Sequence, residues 1–134
     1  MSESQDAELR QKLNAVVEAV RPLHQQLIEL VRRAYERTHG RVPGPVELFQ
    51  LLTTDPFFAW LQPMARRMAA IDEALDEPEP IDAARAGELK ARLDALLTEG
   101  PEEEGFSKRY LALLQDDPDL VMTHAALRRA MNQI

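Results

Sequence analysis

Three histidines, His24, His39 and His124, are the side chains whose ordinary pKa lies closest to neutrality. His39 closes the run Glu36-Arg37-Thr38-His39, which has the Glu-x-x-His spacing of di-iron helical bundles. That architecture needs two such motifs and two further glutamates on facing helices. The sequence holds no second copy. The spacing therefore reads as a histidine at the negative end of a helix, and no metal ligand is assigned.

His24 carries more. On a helical wheel it falls among Val17, Val20, Leu27, Ile28 and Val31, an apolar face that Tyr35 also shares. Asp72, on another helical pattern, points between Leu61 and Ala65 on the same wheel. A carboxylate beside an imidazole would hold it charged and oriented. Trp60, with Phe57 or Phe58, would wall such a pocket. His24, Tyr35, Trp60 and Asp72 are thus the candidate ligand-binding residues, or an acid–base pair. The competing reading is a hydrogen-bonded pair that fixes helix register, since buried polar groups are usually structural. For Asp72 it is a helix-edge carboxylate that reaches water.

Other chemistry has little to work with. There is no Cys, and Ser occurs only at Ser2, Ser4 and Ser107. Gly-rich phosphate loops, nucleophile elbows and zincin motifs are missing. The acid runs Glu102-Glu103-Glu104 and Asp116-Asp117 read as solvated loops without EF-hand spacing. No catalytic residue, cofactor or metal is expected.

The elements that must position these residues read as helices. The central stretch has apolar residues at Phe57, Leu61, Met64, Met68, Ile71 and Leu75, in steps of four and three. Asp55-Pro56 supplies a capping carboxylate and a ring suited to the first turn. The phase holds across Pro63, which predicts one kinked helix over 55–76. Before it, Leu9, Leu13, Val16, Val20, Leu23, Leu27, Leu30 and Ala34 keep heptad spacing over 7–39. Pro22 is read as a kink, and Gly40 as the stop. About 33 straight helical residues would span about 50 Å, against a radius of gyration of about 14 Å for a compact domain of this size. Either Pro22 folds this helix back, or its end pairs with a second chain.

Pro45 opens a short helix over 45–53, with Leu48, Phe49, Leu51 and Leu52 facing inward. Asp76-Glu77-Pro78-Glu79-Pro80 is an acidic linker. Asp82 caps a helix over 82–98, and Gly100-Pro101-Glu102-Glu103-Glu104-Gly105 is a second acidic loop. Helices over 106–115 and 118–132 follow. Leu51 to Pro56 and Leu113 to Pro118 share one way of turning a corner. The layout is similar to a helix-turn-helix, but acids lead the final helix, a poor fit to DNA. The expectation is a single all-α domain, residues 1–134, of five or six helices. The first helix is long and Pro-kinked, and it forms an antiparallel spine with the central helix.

The net charge of −7 argues against phosphate-backbone binding. No stretch approaches the roughly 20 apolar residues of a membrane span. The polar N-terminus lacks the character of a signal peptide, so a cytoplasmic location is expected.

Several of these runs resemble a widespread bacterial family of small helical proteins. They are His39-Gly40-Arg41-Val42, Pro45-Val46-Glu47-Leu48, Asp55-Pro56-Phe57-Phe58-Ala59-Trp60-Leu61 and Ile71-Asp72-Glu73-Ala74-Leu75. The resemblance implies a helical, bacterial, cytosolic protein and brings no catalytic residues with it. Taken together, the sequence points to a non-enzymatic interaction protein or self-associating bundle. Its partner would be a protein, itself or another, with a homodimer through part of helix one. The alternative is a small-ligand-binding or enzymatic bundle built on the four candidate residues.

Overall fold

The computed structural model describes residues 2–98 and 105–134. Among them are six α-helices, one 3₁₀ segment and no strand. Of the expected acidic loop over 100–105, residues 100–104 lie outside the described residues.

α1, Ser2–His39, is continuous through Pro22. Its 38 residues give a rod about 57 Å long. The heptad stripe becomes its buried seam: Leu9, Leu13, Val16, Val20, Leu23 and Leu27 are all covered. Pro22 stands on the exposed side. α1 stops at Gly40, whose φ of +88° is open to glycine without strain; its N–H donates to the Glu36 carbonyl at 3.1 Å.

α2, Pro45–Thr54, leads into the 3₁₀ segment Pro56–Leu61 and then α3, Gln62–Asp76. The single kinked helix expected over 55–76 is therefore two geometries in series. Pro63 lies in the first turn of α3, where a missing N–H breaks no intrahelical bond. α4, Ala83–Leu97, α5, Phe106–Asp116, and α6, Pro118–Met131, complete the bundle.

Asp-led caps set three helix starts. Asp55 Oδ1 accepts from Phe57 N at 2.8 Å, Asp82 Oδ1 from Arg85 N at 2.8 Å and Asp117 Oδ1 from Leu120 N at 3.1 Å. Asp55 and Asp117 also donate their own N–H to the carbonyls of Leu51 and Leu113. Each thus ends one helix and starts the next, which explains the similarity of the two corners.

α3 runs antiparallel to α1. Arg10, near the start of α1, donates to the Leu75 carbonyl at the end of α3 at 2.8 Å, while Tyr35 packs on Phe57 and Phe58 at the other end. Even so, the most extensive neighbour of α1 is α6, not α3. The expected two-helix spine is a three-helix one, which is how both sides of a broad apolar arc are covered.

Two polar devices lock the connections. The Arg10 guanidinium also donates to the carbonyls of Glu77 and Glu79 at 2.9 and 2.8 Å. Asp6 Oδ1 takes Nε of Arg10 at 2.9 Å and the Ile81 N–H at 2.7 Å. The proline-rich linker is thereby strapped to α1. At the other end of the bundle, the buried Ser107 hydroxyl donates to the carbonyls of Leu96 and Ala95 at the end of α4. This Ser is structural.

Candidate functional site

The four residues expected to share a pocket are spread over the bundle. His24 and Tyr35 do lie near one face of α1, but eleven residues apart is about 16 Å along the axis. Tyr35 belongs to an aromatic cluster at the end of α1. It stacks on His39 at 4.3 Å between ring centres, with Phe57 edge-on at 5.5 Å. Trp60 is buried on a different side, 5.4 Å from the Phe106 ring and with the Arg109 guanidinium 5.9 Å over its face. It forms part of a groove of about 420 Å³ between α1, the 3₁₀ segment and α5, with Leu30, Phe57 and Leu113.

Asp72 is exposed rather than inward. The wheel placed it beside Leu61 and Ala65. Leu61, however, belongs to the 3₁₀ segment, whose tighter turn breaks the angular phase with α3, and Ala65 is itself exposed. The buried side of α3 is carried by Pro63, Met64, Ile71 and Ala74.

His24 sits half-buried where α1, α2 and α3 meet. Desolvation lowers its pKa, so the imidazole is neutral at pH 7. It lines an apolar groove of about 570 Å³ with Phe49 and Leu52 of α2, Leu61, and Ala65 and Ala69 of α3; Arg66 stands at its edge.

Glu36 of the Glu-x-x-His run is committed elsewhere. It accepts from Arg32 at 3.0 Å and from the Val42 N–H at 2.8 Å. Among the described residues no three His, Cys, Asp or Glu side chains gather as a metal site. No described helix is long and apolar enough to cross a membrane.

Two features escaped the sequence reading. The first is a polar pair between α5 and α6, the buried Tyr110 and the half-buried His124. The wheel of each helix alone marks Tyr110 as core and leaves His124 without a partner. The second is the surface of α2. Its sequence, Pro-Val-Glu-Leu-Phe-Gln-Leu-Leu-Thr-Thr, is the most apolar of the six helices, yet none of its residues is buried. Leu48, Leu51 and Leu52 are partly covered. Phe49, expected inward, is 65% exposed, as is Val46. Apolar composition was the available signal, but composition does not say which neighbour arrives to cover it. Val121 and Met122 form a smaller exposed apolar pair on α6.

Protein-family models, curated proteins and solved structures contain no match to this chain.

Proposed function

We propose that the protein is a non-catalytic interaction module that docks a partner protein on the outward face of α2 and the adjoining groove. One observation carries this reading: the most apolar helix of the chain has no buried residue. A ten-residue helix has little stability of its own, and contiguous exposed apolar surface on a small domain marks an interaction site. Val46 and Phe49 are the projecting anchors, and large apolar anchors of this kind dominate interface energetics. The heptad seam of α1, which the sequence offered as the self-association surface, is buried from Leu9 to Leu27, whereas Val46 and Phe49 of α2 are exposed, and that contrast favours α2 as the contact surface.

The test is site-specific photo-crosslinking in cells from position 49, with position 72 on exposed α3 surface as control. The expected result is a discrete cross-linked protein at position 49 only. That protein, identified by mass and purified, should bind the wild-type chain and lose at least tenfold in affinity to Phe49→Asp. Equal labelling from both positions, or none at 49, would sink the reading.

A further inference from the structure

We infer that residues 43–54, which hold α2, open by local unfolding while the rest of the bundle stays folded, so that α2 gates the apolar surface beneath it. The gate is separate from the docking reading: it depends on what holds α2 in place, not on what lands on it.

Three observations carry the inference. The first is packing. α2 has no buried residue, whereas each of the other five helices buries several. Its one extensive contact is with the 3₁₀ segment that follows it in sequence, while every other described helix packs on more than one element. The second is the polar ties. Thr53 and Thr54 donate to the carbonyls of Phe49 and Gln50, within α2 itself, and the N-cap residue Gly44 brings no side-chain bond. By contrast, Arg10 straps α1 to the linker and Ser107 ties α5 to α4. The third is the limits of the segment. The Val42 side chain is buried and its N–H donates to the Glu36 carboxylate at 2.8 Å. At the other end Asp55 Oδ1 accepts from Phe57 N at 2.8 Å. These two pins bound the opening. A helix this short is not stable in isolation, and segments with few buried apolar contacts open at the least cost.

The position of α2 determines what its opening uncovers. Phe49, Leu52 and Thr53 wall the groove of about 570 Å³ that holds His24 and Leu61. On the opposite flank, Gln50, Leu51 and Thr54 wall a second groove of about 340 Å³ with Tyr35 and His39. α2 is the partition between them. When it opens, the two grooves become one trough along α1 from His24 to His39, about 22 Å long.

Native-state amide exchange of the full chain tests the opening. Protection from Phe49 to Thr54 should lie about 100-fold or more below that from Val16 to Leu27 of α1. Ser107→Ala removes a tie that the closed and open forms share. It should speed exchange in α1 by about tenfold and leave α2 unchanged. If exchange in α2 rises in step with α1, or its protection equals that of α1, then α2 opens only with the whole bundle and the inference falls. Gly44→Ser tests the gate. The backbone there is extended, and the nearest atom to an added Cβ is Glu47 Oε2 at 3.1 Å, the far end of a flexible side chain. A hydroxyl at this N-cap, three residues before Glu47, makes a capping box and should slow α2 exchange about two- to threefold. The chain has no Cys, so Leu61→Cys, at a position 2% exposed, supplies a single thiol beside α2. Its labelling should slow by the same factor when Gly44→Ser is added. Labelling indifferent to the cap would show that Leu61 is reached without α2 opening, and would overturn the gate.

Discussion

The Tyr110 hydroxyl lies 2.6 Å from Nδ1 of His124, joining α5 to α6 inside the bundle. Burial raises the phenol pKa, so the tyrosine keeps its proton. Burial, and secondarily the nearby Arg128 cation, lowers the imidazole pKa. Both groups are thus neutral at pH 7, and we assign the Tyr110 hydroxyl as donor to Nδ1 of His124, which places the imidazole proton on Nε2. Arg128 is itself held by the Asp94 carboxylate of α4, which ties the pair to a third helix.

The sign of the pH dependence follows. A histidine whose folded pKa is lowered binds more protons when unfolded, so stability rises with pH. It is complete above the ordinary value of 6.5 and declines as pH falls below it. His24, lowered by burial as well, acts in the same direction. Urea unfolding between pH 8 and pH 5 should show this loss. His124→Leu should reduce the slope while lowering stability at pH 8 by about 1–3 kcal/mol, because the buried phenol loses its acceptor. An unchanged slope would show that His124 is not titrating as assigned.

The Arg10 strap makes a separate prediction. One guanidinium serves three backbone carbonyls, of Leu75, Glu77 and Glu79. Arg10→Ala should lower stability by about 2 kcal/mol, the scale of charge-assisted hydrogen bonds, and speed amide exchange over 77–81. Arg10→Lys should not restore it, since an ammonium lacks the planar fork. Asp6 is held below the usual carboxylate range, first by the Ile81 N–H and then by Arg10. Its contribution is present above the ordinary carboxylate pKa and is lost as pH falls through the depressed one.

Pro22 offers a gain rather than a loss. It stands exposed within a continuous helix and removes one backbone hydrogen bond there. Pro22→Ala should raise stability by about 1–3 kcal/mol, read as a higher urea midpoint at unchanged m-value. A lower midpoint would mean that the path of α1 at Pro22 is required by its packing on α6.

Particular residues show where sequence reading ends. The α1 seam from Leu9 to Leu27, the stop at Gly40 and the caps at Asp55, Asp82 and Asp117 were all legible. Each depends on a few neighbouring residues: side-chain angle around one helix, or a carboxylate two or three positions from an amide. The candidate site was not legible in the same way. A wheel reports angle and omits distance along the axis, so it set His24 and Tyr35 on one face without separating them. It also assumed one helical pitch from Phe57 to Leu75, and the 3₁₀ turn at Pro56–Leu61 carried Asp72 out to solvent.

By itself, then, the sequence determined the helices, their ends and the buried side of α1, because helical periodicity and capping are local. Only the tertiary structure decided that α6 joins α3 against α1, that Tyr110 meets His124 and that Phe49 is left uncovered. Those outcomes depend on which surfaces far apart in the chain compete for the same apolar face. Local pattern contains no term for that competition. It is settled when α6, the last helix of the chain, packs along α1, the first.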